Sequence, residues 1–303
     1  MPFTIKILGS GSAAPLKGRH QSAQLVTVNQ QHYLIDCGEG TQYRLIEQKT
    51  NLNKIAVIFI SHLHGDHILG LVGLISTMSL LSRKNGLKIF SPAGLGELIV
   101  EHFRVSKTVL DFDLQIIEVH GDKKHQVYED ENVKVFAFPL VHGIETYGYW
   151  LEEKPRPRNL IKEKIAGLSA EEMGILKIGH DVYHPNGEVK YAMEEYTHPQ
   201  PKCLSYAYCS DTMFSKKVIE AVRLVDWLYH EATYLEEHFE KAISNQHATA
   251  KQAAIVAKEA GVKKLLIGHL SSRYENFDQH LAEALKEFPN TFPAIEGKVF
   301  SLL

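Results

Sequence analysis

The chain has 303 residues, 44% hydrophobic and 23% charged, with a net charge of −3. That balance fits a globular protein with a sizeable core, in one large α/β domain or two ordinary ones. It excludes a polycation, so any nucleic-acid contact must come from a local basic patch.

In chain order, short apolar runs of strand character alternate with helical segments. Strands are expected at FTIKIL (3–8), AQLVTV (23–28), HYLIDCG (32–38), IAVIFI (55–60), LKIFS (87–91), LQIIEV (114–119), VKVFAFPL (133–140), YGYWLE (147–152), SYAYCS (205–210), DWLYH (226–230) and KLLIGH (264–269). Helices are expected at Gly40–Gln48, Ile68–Leu81, Gly94–Val105, Lys216–Val222, Leu235–Ala242 and Ala248–Ala260. The last begins just after Asn245 or Gln246 and is stopped by Gly261. Such interleaving predicts α/β layering. From about Glu152 to Lys202 the periodicity fails, and prolines, glycines and charges dominate. This stretch reads as a loop-like insertion projecting from the body.

The start, MPFTIKILGSGS, has no basic region followed by an apolar stretch, so no signal peptide is expected. The longest apolar run, Ile68–Leu81, falls short of the roughly 18 residues of a membrane span, so no membrane partner is expected. Cys37, Cys203 and Cys209 are odd in number and form no C-x-x-C pair. They argue against a disulfide framework and a zinc ribbon, and for a reducing, cytoplasmic setting.

Seventeen histidines are many for this length, and four strand ends carry the chemistry. IAVIFI runs into Ser61-His62-Leu63-His64-Gly65-Asp66-His67, VFAFPLV into His142, SYAYCS into Asp211, and KLLIG into His269. Ends of parallel strands share one edge, where α/β sheets bind ligands. In an extended segment His62 and His64 face the same way and can grip one ion. Gly65 lets the chain turn, so Asp66 and His67 point to a second position. Imidazole and carboxylate without thiolate suit zinc, or a similar divalent ion, in a catalytic site. Alone, His142 before glycine is more often a loop histidine than a ligand, Asp211 reads equally as a turn cap, and His269 is similar. Their shared position raises all three together.

These residues resemble the metallo-β-lactamase superfamily, whose signature is H-x-H-x-D-H at a strand end, and more narrowly its ribonuclease Z family. LGSGSAAP, DCGEGTQ (36–42), SHLHGDHILGL, VHG, YAYCSDT, HEATY (230–234), QHATAKQAA (247 being its histidine) and GHLSSRY (268–274) carry the likeness over nearly the whole length. The resemblance implies an αβ/βα sandwich with two zinc ions per subunit, Mn2+ or Mg2+ being possible substitutes. It assigns His62, His64 and His142 to the first ion, Asp66, His67 and His269 to the second, and Asp211 to both. It implies a homodimeric endoribonuclease that removes the 3′ trailer from precursor tRNA, with no DNA partner expected.

Asp66 is the implied proton acceptor for the attacking water. His247 is the candidate donor to the leaving oxygen, with Glu231 orienting it or sharing the proton; a plain helix-start role is the alternative for His247. Asp36 and His230 are expected to brace the ligands. The insertion at 152–202 stands where the family's tRNA-binding arm belongs. Its basic start resembles the family's P-x-K-x-R-N loop: Arg156 is in the lysine place, Arg158 and Asn159 match, and Lys154 replaces the first proline. These side chains are expected to meet phosphates. The family's glycine-proline-rich tip is absent.

Two other readings compete: a dinuclear hydrolase of a small phosphodiester or other ester, and a non-catalytic RNA-binding scaffold. A scaffold has no use for seven intact ligand positions.

Overall fold

Alternation in TIKILG, with Ile5 and Ile7 buried and Thr4 and Lys6 half-buried, makes Thr4–Gly9 (β1) a strand with one face inward. The structure, a computed structural model, describes residues 3–302. Five strands follow in the same sheet: Ala23–Val28 (β2), Gln31–Ile35 (β3), Ile55–Phe59 (β4), Leu87–Ser91 (β5) and Leu114–Glu118 (β6). His125–Glu129 (β7), Val133–Pro139 (β8) and Tyr147–Glu153 (β9) follow. Two short strands, Val182–Tyr183 (β10) and Val189–Tyr191 (β11), precede Ser205–Cys209 (β12), Trp227–Glu231 (β13), Lys264–Gly268 (β14), Thr291–Pro293 (β15) and Val299–Ser301 (β16).

Two seven-stranded sheets result, ordered β16-β1-β2-β3-β4-β5-β6 and β15-β14-β13-β12-β9-β8-β7. Strands β3 to β6 are parallel, as are β12 to β15. Parallel neighbours need crossovers, which the helices Thr41–Glu47, Leu71–Leu80, Leu95–Ser106, Lys216–Ala221, Ala250–Ala260 and Asp278–Glu287 supply. One core fills the space between the sheets, where Ile7, Tyr33 and Phe59 of the first belong with Val135, Tyr149 and Tyr208 of the second. Two outer cores seat the helices on the remaining faces. At roughly 1.5–3 kcal/mol per buried large apolar side chain, these three layers of contact hold the α/β sandwich together. This is the expected αβ/βα architecture.

Several elements differ from the sequence reading. Helix Asp278–Glu287 was not anticipated, because its buried residues include His280 and Ala284 rather than a strong apolar stripe. The helix expected at Ala248–Ala260 begins two residues later, at Ala250, and is capped by Thr249. Thr249 Oγ1 accepts from Gln252 N at 3.2 Å and the Gln252 side chain accepts from Thr249 N at 3.0 Å. The expected Leu235–Ala242 helix is a 3-10 turn at Glu236–His238 followed by an α-helix at Phe239–Ser244.

Residues Glu153–Cys203 form a second compact unit, with regular structure where the sequence suggested a loop. Ser169 and Glu172 make a reciprocal capping box that starts helix Ala170–Lys177. β10 and β11 pair antiparallel across a turn in which Gly187 takes φ 86°. Among the described residues no helix is long and apolar enough to cross a membrane.

Candidate metal centre

Four strand ends deliver the sequence-predicted ligands, but from both sheets rather than one edge. β4 of the first sheet leads to His62–His67, while β8, β12 and β14 of the second lead to His142, Asp211 and His269. After β4 the chain stays extended through His64, then turns into the short helix Gly65–Ile68. That switch of period sends His62 and His64 one way and Asp66 and His67 another. The His142 loop is stitched to the Asp211 loop: Val141 N donates to Thr212 Oγ1 at 3.0 Å and Met213 N to Val141 O at 2.8 Å. Asp36 and His269 sit at left-handed φ, 56° and 59°, a conformation that costs energy and gathers at functional sites.

Two donor groups form. His62 Nε2 lies 3.1 Å from His64 Nδ1 and 3.6 Å from Asp211 Oδ2. His142 Nε2 lies 3.3 Å from His64 Nδ1 and 3.8 Å from Asp211 Oδ2. On the other side, His67 Nε2 is 3.3 Å from Asp66 Oδ2 and 3.4 Å from Asp211 Oδ1. His269 Nε2 is 3.2 Å from each of those oxygens. A tetrahedral ion holding ligands at about 2.0–2.1 Å separates them by roughly 3.3–3.4 Å; the second group matches that spacing at 3.2–3.4 Å, and the first brackets it at 3.1–3.8 Å. His67 Nε2 and Asp211 Oδ1 are buried without a hydrogen-bond partner among the described residues. A buried polar atom left so needs a compensating partner, and a divalent ion is one that fits this donor set.

In His67, His142 and His269 the second imidazole nitrogen is committed, which fixes those tautomers. His67 Nδ1 faces Asp36 Oδ2 at 2.7 Å and His142 Nδ1 faces Gln246 O at 2.9 Å, so each Nδ1 donates and each Nε2 keeps its lone pair. Thr233 Oγ1 donates to Glu231 Oε2 at 2.6 Å and therefore accepts from His269 Nδ1 at 2.9 Å. Asp36 also accepts from Ser61 N, Ser61 Oγ and, across the sandwich, Tyr208 Oη at 2.7, 2.9 and 2.8 Å.

Burial, with His67 beside it, pushes the His62 imidazole down to about 2. Burial also disfavours charge on His67, but Asp211, Asp36 and Asp66 outweigh it and hold that group well above its ordinary value. For Asp66 and Asp211 burial is outweighed by neighbouring histidines, and both lie below the usual carboxylate range. The surroundings therefore favour positive charge between the carboxylates.

A cleft of about 570 Å³ opens over this cluster, with His64 exposed toward solvent. His247 lines it. Its Nδ1 lies 2.7 Å from Glu231 Oε1, so it donates there and leaves Nε2 free. Burial opposes charging of His247, yet Glu231 raises it to about 9. Glu231 is itself held by Thr212 N and Thr233 N, both at 3.0 Å. His247, Glu231 and His269 offer donor atoms within 4.8 Å of one another.

His230 is fully buried, with Nδ1 2.7 Å from Glu231 O, and none of its described hydrogen bonds goes to a ligand side chain. In the second unit, Arg156 pairs through Nε with Glu153 Oε1 at 2.7 Å, Arg158 Nε donates to Thr197 Oγ1 at 2.7 Å, and Asn159 O accepts from His198 N at 2.8 Å. Sequence reasoning missed Ser61, Tyr208 and Thr233. Thr233 lies inside HEATY, so that motif was the signal; nothing in the sequence pointed Tyr208 at Asp36.

A family model described as the anti-Pycsar protein Apyc1 matches residues 3–153. Ribonuclease Z of Cytophaga hutchinsonii is 46% identical over 99% of this chain and 96% of its own length. The chain belongs to the ribonuclease Z family. A second ribonuclease Z, from Bacteroides fragilis, is 40% identical over 99% of each chain. Among solved structures, the short form of human tRNase Z superposes with a TM-score of 0.73 at 26% identity, covering 99% of both chains. A ribonuclease Z chain with this donor set has the groups for metal-assisted hydrolysis of a phosphodiester.

Proposed function

We propose that this chain cuts precursor tRNA at its 3′ side, hydrolysing one phosphodiester to leave a 3′-hydroxyl on the tRNA and a 5′-phosphate on the trailer. The observation that carries the reading is Asp211, one carboxylate whose two oxygens face two separate donor groups in a chain of the ribonuclease Z family. His62, His64 and His142 with Asp211 Oδ2 would hold one ion; Asp66, His67 and His269 with Asp211 Oδ1 would hold another. Zinc is the ion we assign, with Mn2+ or Mg2+ as substitutes, because imidazole and carboxylate donors at tetrahedral spacing suit it.

Bound there, the pair of ions supplies neutralising charge at the phosphate and a more acidic attacking water. Asp66 takes that water's proton. His247, its Nδ1 engaged by Glu231, presents Nε2 to the leaving 3′-oxygen and donates to it. Asp36 fixes the His67 ring, and His230 braces Glu231 through the backbone.

The Glu153–Cys203 unit acts as the substrate-binding arm, on the strength of its basic start, Lys154, Arg156, Arg158, Lys162 and Lys164. The guanidinium groups of Arg156 and Arg158, with Asn159, meet the tRNA, and the enzyme works as a cytoplasmic homodimer. The test offers precursor tRNA with a short trailer beside a chromogenic phosphodiester and maps both new ends. A single cut leaving the stated termini is expected. Hydrolysis of the small ester alone would overturn the tRNA reading.

A further inference from the structure

We propose that Glu296 is a positioning residue that fixes the Ser10–Gln21 loop as the wall of the cleft against which the RNA strand lies. The inference rests on the nuclease reading above. The loop leaves β1 and returns to β2, and Ser12, Ala13, Ala14 and Gln21 line the cleft beside Asp66 and His269. No residue from Ser12 to His20 is buried, so packing does not hold this segment in place.

Polar contacts hold it instead: Gly11 N donates to His20 O at 2.8 Å, Arg19 Nη2 donates to Glu275 O at 2.9 Å, and three further contacts converge on one carboxylate. Glu296 Oε1 accepts from Ser10 N at 3.3 Å and from His20 N at 2.7 Å, while Oε2 lies 2.6 Å from His20 Nδ1. Both feet of the loop are thus tied to a side chain 286 and 276 residues away in sequence. Glu296 is anchored in turn, because Gly297 N donates to Ile7 O at 2.8 Å and Arg44 Nη2 stands 3.9 Å from Oε2.

The same loop is laced to the segment after His269. Ser12 N donates to Leu270 O at 3.2 Å and Leu270 N to Ser10 O at 3.1 Å. Gln21 Nε2 donates to Ala13 O at 3.0 Å, bracing the wall from within. Serine and alanine leave room for a ribose-phosphate strand, and exposed Lys17 at the tip adds positive charge. A wall built this way acts on binding more than on the chemical step.

The test compares Glu296→Ala, Glu296→Gln and His20→Ala with the parent, on trailer-bearing tRNA and on a chromogenic phosphodiester. Metal content and thermal midpoint are measured for each. For Glu296→Ala the KM for RNA should rise roughly tenfold, with kcat and small-ester hydrolysis within about twofold of the parent. Glu296→Gln keeps an acceptor for both backbone N–H groups and should restore most of the KM. Adding His20→Ala to Glu296→Ala should raise KM less than the two single effects combined, since both act through one contact. Equal losses on both substrates, a fall in metal content, or an unchanged KM for RNA would each overturn the proposal. A parent enzyme that hydrolyses only the small ester removes the nuclease reading itself, and the positioning role falls with it.

Discussion

The ligand-bearing edge and the Glu153–Cys203 unit differ in how they hold a side chain. At the edge, His67, His142 and His269 each have a second nitrogen engaged by a buried or backbone acceptor, and the acceptors are held in turn. In the second unit the buried apolar side chains are Leu176 and Val182 alone, and the two arginines rest on single neighbours, Glu153 and Thr197. An over-determined network fixes positions to fractions of an ångström and tolerates little change. A thin core with exposed charge fixes a surface more loosely, and its sequence is freer to vary.

The sharpest way to break this contrast is at the edge. Asp211→Asn keeps the volume but removes the charge that faces both donor groups. Cleavage of precursor tRNA should fall by about 10³-fold or more, and bound metal should drop in elemental analysis. Chelation should abolish activity and added zinc restore it; a chelated enzyme at full rate would break the metal reading. His247→Ala should lower kcat by roughly 10²–10⁴-fold with metal content unchanged, the signature of a lost proton donor. Asp36→Asn lies one step further out. It should weaken metal affinity by about 10–100-fold, read by titration with a competing chelator.

That ordering follows what could be seen in the sequence. The ligands were legible because strand ends and the H-x-H-x-D-H spacing turn residue type into position. That they come from two sheets was not, since strand order depends on long-range pairing such as β12 with β9. Asp36 was legible from its motif. Tyr208, which reaches Asp36 across the sandwich, reads in SYAYCS as one more buried strand residue. In the second unit the capping box at Ser169 was present in the sequence as S-x-x-E, but weak apolar periodicity around it masked the helix. Helix Asp278–Glu287 was hidden for a similar reason, with a histidine occupying a core position.

The second unit offers a smaller effect of a different kind. Leu176→Ala should cost about 2–5 kcal/mol of local stability, enough to loosen a unit whose core is so small. KM for precursor tRNA should rise several-fold, by the loss of an ordered binding surface, and small-ester hydrolysis should stay at the parent rate. A parallel fall on both substrates would show that the two regions are not separable in function.

The smallest effect concerns a histidine with no network. His32 on β3 has Thr27 Oγ1 2.9 Å from its Nδ1, and burial, with Lys54 and Lys6 nearby, pushes it down to about 4. The unfolded chain titrates this group near 6.5. Above that value both states are neutral and His32 contributes nothing to the pH dependence. Between 6.5 and 4 the unfolded chain binds a proton that the folded chain refuses, so stability falls as pH falls; below 4 the loss is complete. Because the side chain is partly exposed, screening limits this to about 1 kcal/mol. His32→Phe should therefore narrow the difference in thermal midpoint between pH 7 and pH 5, and leave the difference between pH 7 and pH 8 as in the parent. Ligand histidines should show no such simple acid limb, because their protons compete with a bound ion. A His32→Phe profile parallel to the parent across the whole range would remove that distinction.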